Sequence, residues 1–233
     1  MRGCILQPGY LPWLGFFEQF LFSEIFVFLD DVQYTKQDWR NRNRVRTNAK
    51  QGWTWLTVPV KMDSMRSKIN EVKIDYRQNW IKKHLNIIRN NYQKTRYFEE
   101  VFSIIQENIE KRFLYLSDLN VSLVLSIGEY LNIHRNTMLS SRLEIREQDR
   151  NLRLIQTCKQ VGITHFYDGE KAKDFLDPAL FKANGIEVEF QVYKHPTYKQ
   201  CYEPFVSHLS AVDLLFLYGK ESVKLIAHAR SHA

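Results

Sequence analysis

Two short apolar runs near the start of the chain, Cys4-Ile5-Leu6 and Phe26-Val27-Phe28-Leu29, each break off into polar residues, at Gln7-Pro8-Gly9 and at Asp30-Asp31. Runs of this length without alternation suit strands covered on both faces, as in the middle of a parallel sheet. Arg2 to Gln7 and Ile25 to Leu29 are therefore read as buried strands, and Pro12 to Ser23 between them as a helix with proline in its first turn. Strand, helix and strand make a parallel unit with a right-handed crossover. In such folds small molecules bind at the carboxyl ends of the strands. The polar residues that stop the two runs are accordingly the first candidates for a binding site.

Further along, Trp53 to Val60 alternates and Ile69 to Ile74 does so less cleanly, and both are read as strands, with Pro59 marking an edge or an end. From Asn79 the period becomes helical. Ile81, His84, Leu85, Ile88 and Tyr92 share one face, Phe98, Val101, Phe102, Ile105, Ile109 and Phe113 a second, and Leu116, Leu119, Leu123, Ile127 and Leu131 a third. His84 on an apolar face reads as structural. After this the chain alternates again: a helix stopped by Gly162, a strand over residues 163–167, a short helix capped by Asp177-Pro178, and a strand over residues 186–192 with one wet face, hence near a sheet edge. Ser210 to Asp213 has capping-box spacing before a last helical run, giving both residues a structural reading. The fold class expected is α/β, a mostly parallel sheet with flanking helices and a helical middle subdomain. Residues 1–76 form an amino-terminal α/β segment, 77–135 the helical subdomain, and 136–233 a carboxyl-terminal segment completing the same domain.

With 233 residues, 44% of them hydrophobic, the chain can build one sizeable core or two small ones. No apolar run reaches the roughly 20 residues of a bilayer span, and no secretory leader is evident, so a cytoplasmic location without membrane attachment is expected. Cys4, Cys158 and Cys201 lack the spacing of a zinc site or a disulfide framework and read as reduced thiols. Dinucleotide, Walker, nucleophile-elbow and HExxH patterns are absent. Nicotinamide and zinc are therefore not expected, and the cofactor, if any, is left open.

The formal charge is +7, and its placement matters more than its size. Between Gln33 and Lys50 stand six basic residues and one acid, Asp38, with Tyr34 and Trp39 among them. A short cation-rich segment next to a sheet edge suits a nucleotide-linked or otherwise phosphorylated small molecule. Nucleic acid is disfavoured, because the spacing is irregular for a groove-reading helix.

Leu6-Gln7-Pro8-x-Tyr10-x-Pro12-Trp13-x-Gly15-Phe16-Phe17, Phe28-Leu29-Asp30-Asp31-Val32-Gln33, Lys36, Trp39-x-Asn41-Arg42-Asn43 and Leu56-Thr57-Val58-Pro59-Val60 resemble the amino-terminal signature of the WbqC-like family. Thr164-His165-Phe166-Tyr167-x-Gly169, Asp174-Phe175-Leu176, Gly185-Ile186, His195-Pro196-x-Tyr198-x-Gln200 and Leu209-Ser210-x-x-Asp213-Leu214-Leu215-Phe216-x-x-Gly219 are similar to its second half. Family members often carry His or Met where Leu6 stands, which argues against a catalytic side chain there. The resemblance implies a place in bacterial surface-polysaccharide (O-antigen or capsule) biosynthesis, with acyl or aminoacyl transfer to a nucleotide-linked amino sugar as the reaction that fits best. A non-catalytic binding module and a metal-dependent nucleotidyl- or glycosyltransferase are the alternatives.

Asp30 and Asp31 are catalytic candidates, expected to point to opposite faces of a strand, and no metal ligand set is assigned. His195, in a loop after the polar-edged strand, is the candidate general base, whereas His208, His228 and His232 fall in or near helices or the terminus. Gln7 and Tyr10 follow the first strand and offer uncharged hydrogen bonds. Gln33, Lys36, Asn41, Arg42, Asn43, Tyr198 and Gln200, taken from the resemblance, complete the expected substrate-binding set. The acyl or aminoacyl donor is a further expected partner.

Overall fold

The computed structural model describes residues 1–229, so His232 lies outside them. β1 (Arg2–Leu6), α1 (Leu14–Phe22) and β2 (Ile25–Phe28) form the expected unit, with β1 and β2 paired in parallel from Gly3 beside Ile25 to Leu6 beside Phe28. An antiparallel hairpin of β3 (Arg42–Arg46) and β4 (Trp53–Thr57) follows, so part of the cation-rich segment, for which the residue pattern predicts no strand, is a strand. Its clustered charges hid a period of two over the first four residues, where Asn43 and Val45 are buried and Arg42 and Arg44 are partly exposed; Arg46 at the end of the strand is buried.

β5 (Val60–Lys61) and β6 (Lys73–Ile74) make a small antiparallel pair. Residues 69–71 before β6 form a 3₁₀ turn rather than the expected strand. The helical middle comprises α2 (Trp80–Tyr92), α3 (Phe98–Glu110) and α4 (Leu116–Tyr130), and their apolar faces are those read from the periodicity. The remaining elements are β7 (Asn136–Leu139), α5 (Arg150–Val161), β8 (His165–Asp168), α6 (Pro178–Ala183), β9 (Glu187–Phe190), α7 (Val212–Tyr218) and α8 (Ser222–His228).

Local chemistry sets several of these boundaries. Gly162 ends α5 in the left-handed region at φ 77°, and the Asp177 carboxylate accepts the Ala179 and Leu180 N–H groups that open α6. The capping box expected before α7 is absent: Ala211 is the cap and Asp213 lies inside the helix.

The main sheet has five parallel strands in the order β7-β2-β1-β8-β9. From β1 the chain builds outward through β2 to β7, then returns to the other side of β1 to add β8 and β9. The order therefore reverses between β1 and β8, the topological switch point of a doubly wound sheet. Both faces are covered, because side chains alternate. Cys4, Phe26 and Phe28 join the core beneath α1, α4 and α7, whereas Ile5, Ile25 and Val27 join Leu154, Ile155 and Cys158 of α5 and Phe181 of α6. Phe26 packs edge to face on Phe16, Phe20 and Phe28 at 5.0–5.3 Å. Each such phenylalanine contributes about 1.5–3 kcal/mol by burial. The first of these cores continues into α2, α3 and α4, so the helical segment shares a core with the sheet.

Among the described residues no helix is long and apolar enough to cross a membrane.

Candidate functional site

The segment after β1 is pinned at nearly every residue. Tyr10 N–H donates to Trp39 O at 3.0 Å, Asn43 Nδ2 to Leu11 O at 2.7 Å, and Asn120 Nδ2, from α4, to both Pro8 O (3.1 Å) and Arg40 O (2.8 Å). Leu11 is held at φ 44°, a costly conformation for a branched residue that these bonds enforce. The result is that residues 38–41 lie across the carboxyl end of β1. There the Arg40 guanidinium bridges Gln7 Oε1 and the Asp38 carboxylate, with Arg40 and Asp38 each about one-fifth exposed.

From this crossing the chain enters β3, and the outward residues of the hairpin build a surface of alternating cations and indoles. The Arg42 guanidinium sits 4.3 Å from the Trp55 ring centre, and that of Arg44 lies 5.0 Å from Trp53 and 5.6 Å from Trp39. Gln37, Asp38, Trp39, Arg42, Arg44 and Trp55 enclose a groove of about 330 Å³. Trp39 is 47% exposed, unusual for so large an apolar side chain.

At the ends of β2 and β7 a second polar group forms. Asp30 Oδ1 accepts the Ser141 N–H (2.9 Å), Asp30 Oδ2 accepts the Ser141 hydroxyl (2.7 Å), and Asp31 Oδ2 pairs with Arg153 of α5. The Ser140 hydroxyl stands 3.1 Å from Asp30 Oδ1 and 2.5 Å from Asp31 Oδ1; with one proton it donates to one of them. β2 ends at Phe28, so both carboxylates lie in the loop and share one serine instead of facing opposite sides of a strand. Burial pushes the Asp31 carboxyl up, but its bonds to Ser140 and Arg153 outweigh that and hold it below the ordinary carboxylate value.

His195 lies in a different cluster, with Tyr193, Tyr198, Phe205 and His208. Its Nδ1–H donates to Pro196 O (2.9 Å) and its Nε2 accepts the His208 backbone N–H (3.1 Å), so neither ring nitrogen is free to take a proton from substrate. Burial, with His208 beside it, pushes its pKa down to about 4. Tyr198 and Gln200 point inward: both donate to the Asp213 carboxylate at 2.9 Å, as Tyr92 does at 2.7 Å. Tyr10 is fully buried against His84, whose other nitrogen donates to Thr57 O and whose pKa burial lowers to about 4. Asn41 and Asn43 are likewise buried on backbone partners, whereas Gln7, Gln33, Lys36 and Arg42 reach the surface.

One carboxylate at the switch point escaped the sequence reading. Asp168, the last residue of β8, is 8% exposed, and the N–H of Gly169 at 2.7 Å makes the one hydrogen bond to its carboxylate among the described residues. Burial pushes its pKa up to about 7. In the sequence it stands as the unassigned position in Tyr167-x-Gly169, and the only available signal was its place at the end of a buried strand. A larger open depression of about 590 Å³, lined by Leu21 to Glu24 and His134 to Asn136, lies at the opposite, amino edge. Its arginine, Arg135, is bonded to the Leu21 and His134 carbonyls, and strand amino ends are not where open α/β sheets bind ligands.

The model of the WbqC-like protein family matches residues 7–225. The chain belongs to the WbqC-like protein family. It is also 34% identical over 231 residues to the uncharacterized protein Rv1507c of Mycobacterium tuberculosis, an alignment covering 97% of this chain and 98% of the relative. No solved structure matches the chain. In this WbqC-like protein, the motif Trp39-x-Asn41-Arg42-Asn43 divides by strand geometry into two tasks. Asn41 and Asn43 fix the backbone around the end of β1, and Trp39 and Arg42 face the groove.

Proposed function

We propose that the protein is a transferase of bacterial surface-polysaccharide biosynthesis that moves an acyl or aminoacyl group onto a nucleotide-linked amino sugar at the carboxyl edge of the β1–β8 crevice. One observation carries this reading: residues 38–41 lie across the end of β1 at the reversal of strand order, and so join Gln7 and Arg40 to a cationic, aromatic groove. Acyl transfer needs an oriented amine and a proton acceptor near neutral pH. Gln7 offers an amide to sugar hydroxyls, and Asp168 is a carboxylate that changes protonation in the required range. The amine nitrogen forms the new amide bond as the donor's bond to its leaving group breaks. The amine's proton passes to Asp168 and then to the departing group. His195, Asp30 and Asp31 keep supporting roles in this scheme, because their polar atoms are already committed.

The test is a mass-spectrometric screen of the purified protein with nucleotide-linked amino sugars and a panel of acyl and aminoacyl donors, with and without a chelator. A sugar gaining one acyl or aminoacyl mass, insensitive to chelation, is expected. Binding without any mass change makes the protein a binding module, and chelator-sensitive transfer of nucleotide or sugar makes it a metal-dependent transferase; either outcome overturns the proposal.

A further inference from the structure

The groove on the β3–β4 hairpin has a composition that the acyl-transfer reading does not by itself require. Arg42 makes no ion pair or hydrogen bond through its guanidinium among the described residues. It lies over the Trp55 ring, and its Nε is buried without a hydrogen-bond partner. The Nε of Arg44 is buried and unpartnered too, and its outer nitrogen donates to His208 O at 3.1 Å. The single carboxylate lining the groove, Asp38, is bonded to Arg40 and to the Trp39 N–H. Two partly buried cations thus face a small concave space with no anion of their own, beside an indole left 47% exposed. Guanidinium groups in that state call for a phosphate-like anion, and an exposed indole calls for a planar ring. At about 330 Å³ the groove suits one nucleotide rather than a strand of them.

We propose that this groove is the anchor for the nucleoside diphosphate of the substrate, with the base stacked on Trp39 and the two phosphates held by Arg42 and Arg44. The inference rests on the reading that the substrate is nucleotide-linked, and it assigns recognition of that handle to the hairpin and not to the sheet edge.

Calorimetric titrations of the whole chain with UDP, dTDP and GDP, with inorganic pyrophosphate, with an amino sugar lacking a nucleotide and with a short single-stranded oligonucleotide test it. At least one nucleoside diphosphate is expected to bind more tightly than pyrophosphate. Trp39→Ala and Arg42→Ala should each weaken that binding tenfold or more with an unchanged melting temperature, whereas Asp168→Asn should abolish acyl transfer and leave nucleotide affinity intact. Tighter binding of the oligonucleotide, equal affinity for pyrophosphate, or nucleotide binding indifferent to both hairpin variants overturns the anchor. Acyl transfer that is insensitive to Trp39→Ala and Arg42→Ala overturns the anchor alone. Nucleotide binding at the hairpin without any transfer overturns the proposed reaction and leaves the anchor standing.

Discussion

Replacing Asp168 by asparagine isolates a single buried ionisation. The carboxyl is displaced from 3.8 to about 7 by burial, with the Gly169 N–H as its one partially opposing bond. In the folded protein it therefore keeps its proton over a pH range in which the unfolded chain has lost it. Stability from this group is fully present below about pH 4, declines as pH rises, and is lost once pH passes about 7. The span corresponds to about 4 kcal/mol at about 1.4 kcal/mol per pH unit. For a chain of this size each kcal/mol is about 2–4 °C of melting temperature. Asparagine has the same shape, can still accept from Gly169 and never ionises. Melting followed by circular dichroism should then show the variant above wild type at pH 8 by several degrees or more, with the gap closing at pH 4–5. A gap that is the same at both pH values, or that opens toward acid, would refute the assignment of a neutral buried carboxyl at the end of β8.

Three further outcomes follow from the geometry. His195→Gln should lower stability by about 1–3 kcal/mol in chemical denaturation, because the bond accepted from His208 N–H is broken; an acidic limb near pH 6–7 in the rate profile that vanishes in the variant would return His195 to catalysis. Asp31→Asn should lower the melting temperature at pH 7. The difference should fade as pH drops below about 4, since a carboxylate held low by Ser140 and Arg153 loses its contribution when protonated; a difference independent of pH would contradict the ion pair. Gly3→Ala should cost about 1–3 kcal/mol by overpacking, because a Cβ there would stand 2.4 Å from the Ile163 side chain and 2.9 Å from that of Ile25, and unchanged stability would show that the sheet centre is looser than described.

The fold was legible where one physical signal dominated. β1 and β2 are covered on both faces and wrote unbroken apolar runs, α2 to α4 wrote the 3.6-residue period, and Gly162 and Asp177 wrote helix ends. β7 was not, because an edge strand of four residues, Asn136–Leu139, alternates between exposed and half-buried and carries little apolar signal. β3 was masked by its arginines, whose long stems cover apolar surface while their charges read as loop. The site divides along the same line. Gln7 and Arg42 stand where their polarity suggests, at the surface near the carboxyl edge, and Lys36 is exposed. Tyr10, Asn43, Tyr198 and Gln200 are equally polar, yet the groups that hold them, the His84 ring, the Leu11 carbonyl and the Asp213 carboxylate, lie 13 to 74 positions away and are assembled only by the fold. A sequence shows that such a group needs a partner; it does not show whether the partner is substrate or protein.

Diffraction from crystals grown with a nucleotide-linked amino sugar decides where the ligand sits. The diphosphate is expected within hydrogen-bonding distance of Arg42 and Arg44, the base against Trp39, and the sugar toward Gln7 and the end of β8. Density for the ligand in the depression beside Phe22, Glu24, His134 and Arg135 at the amino edge would contradict it.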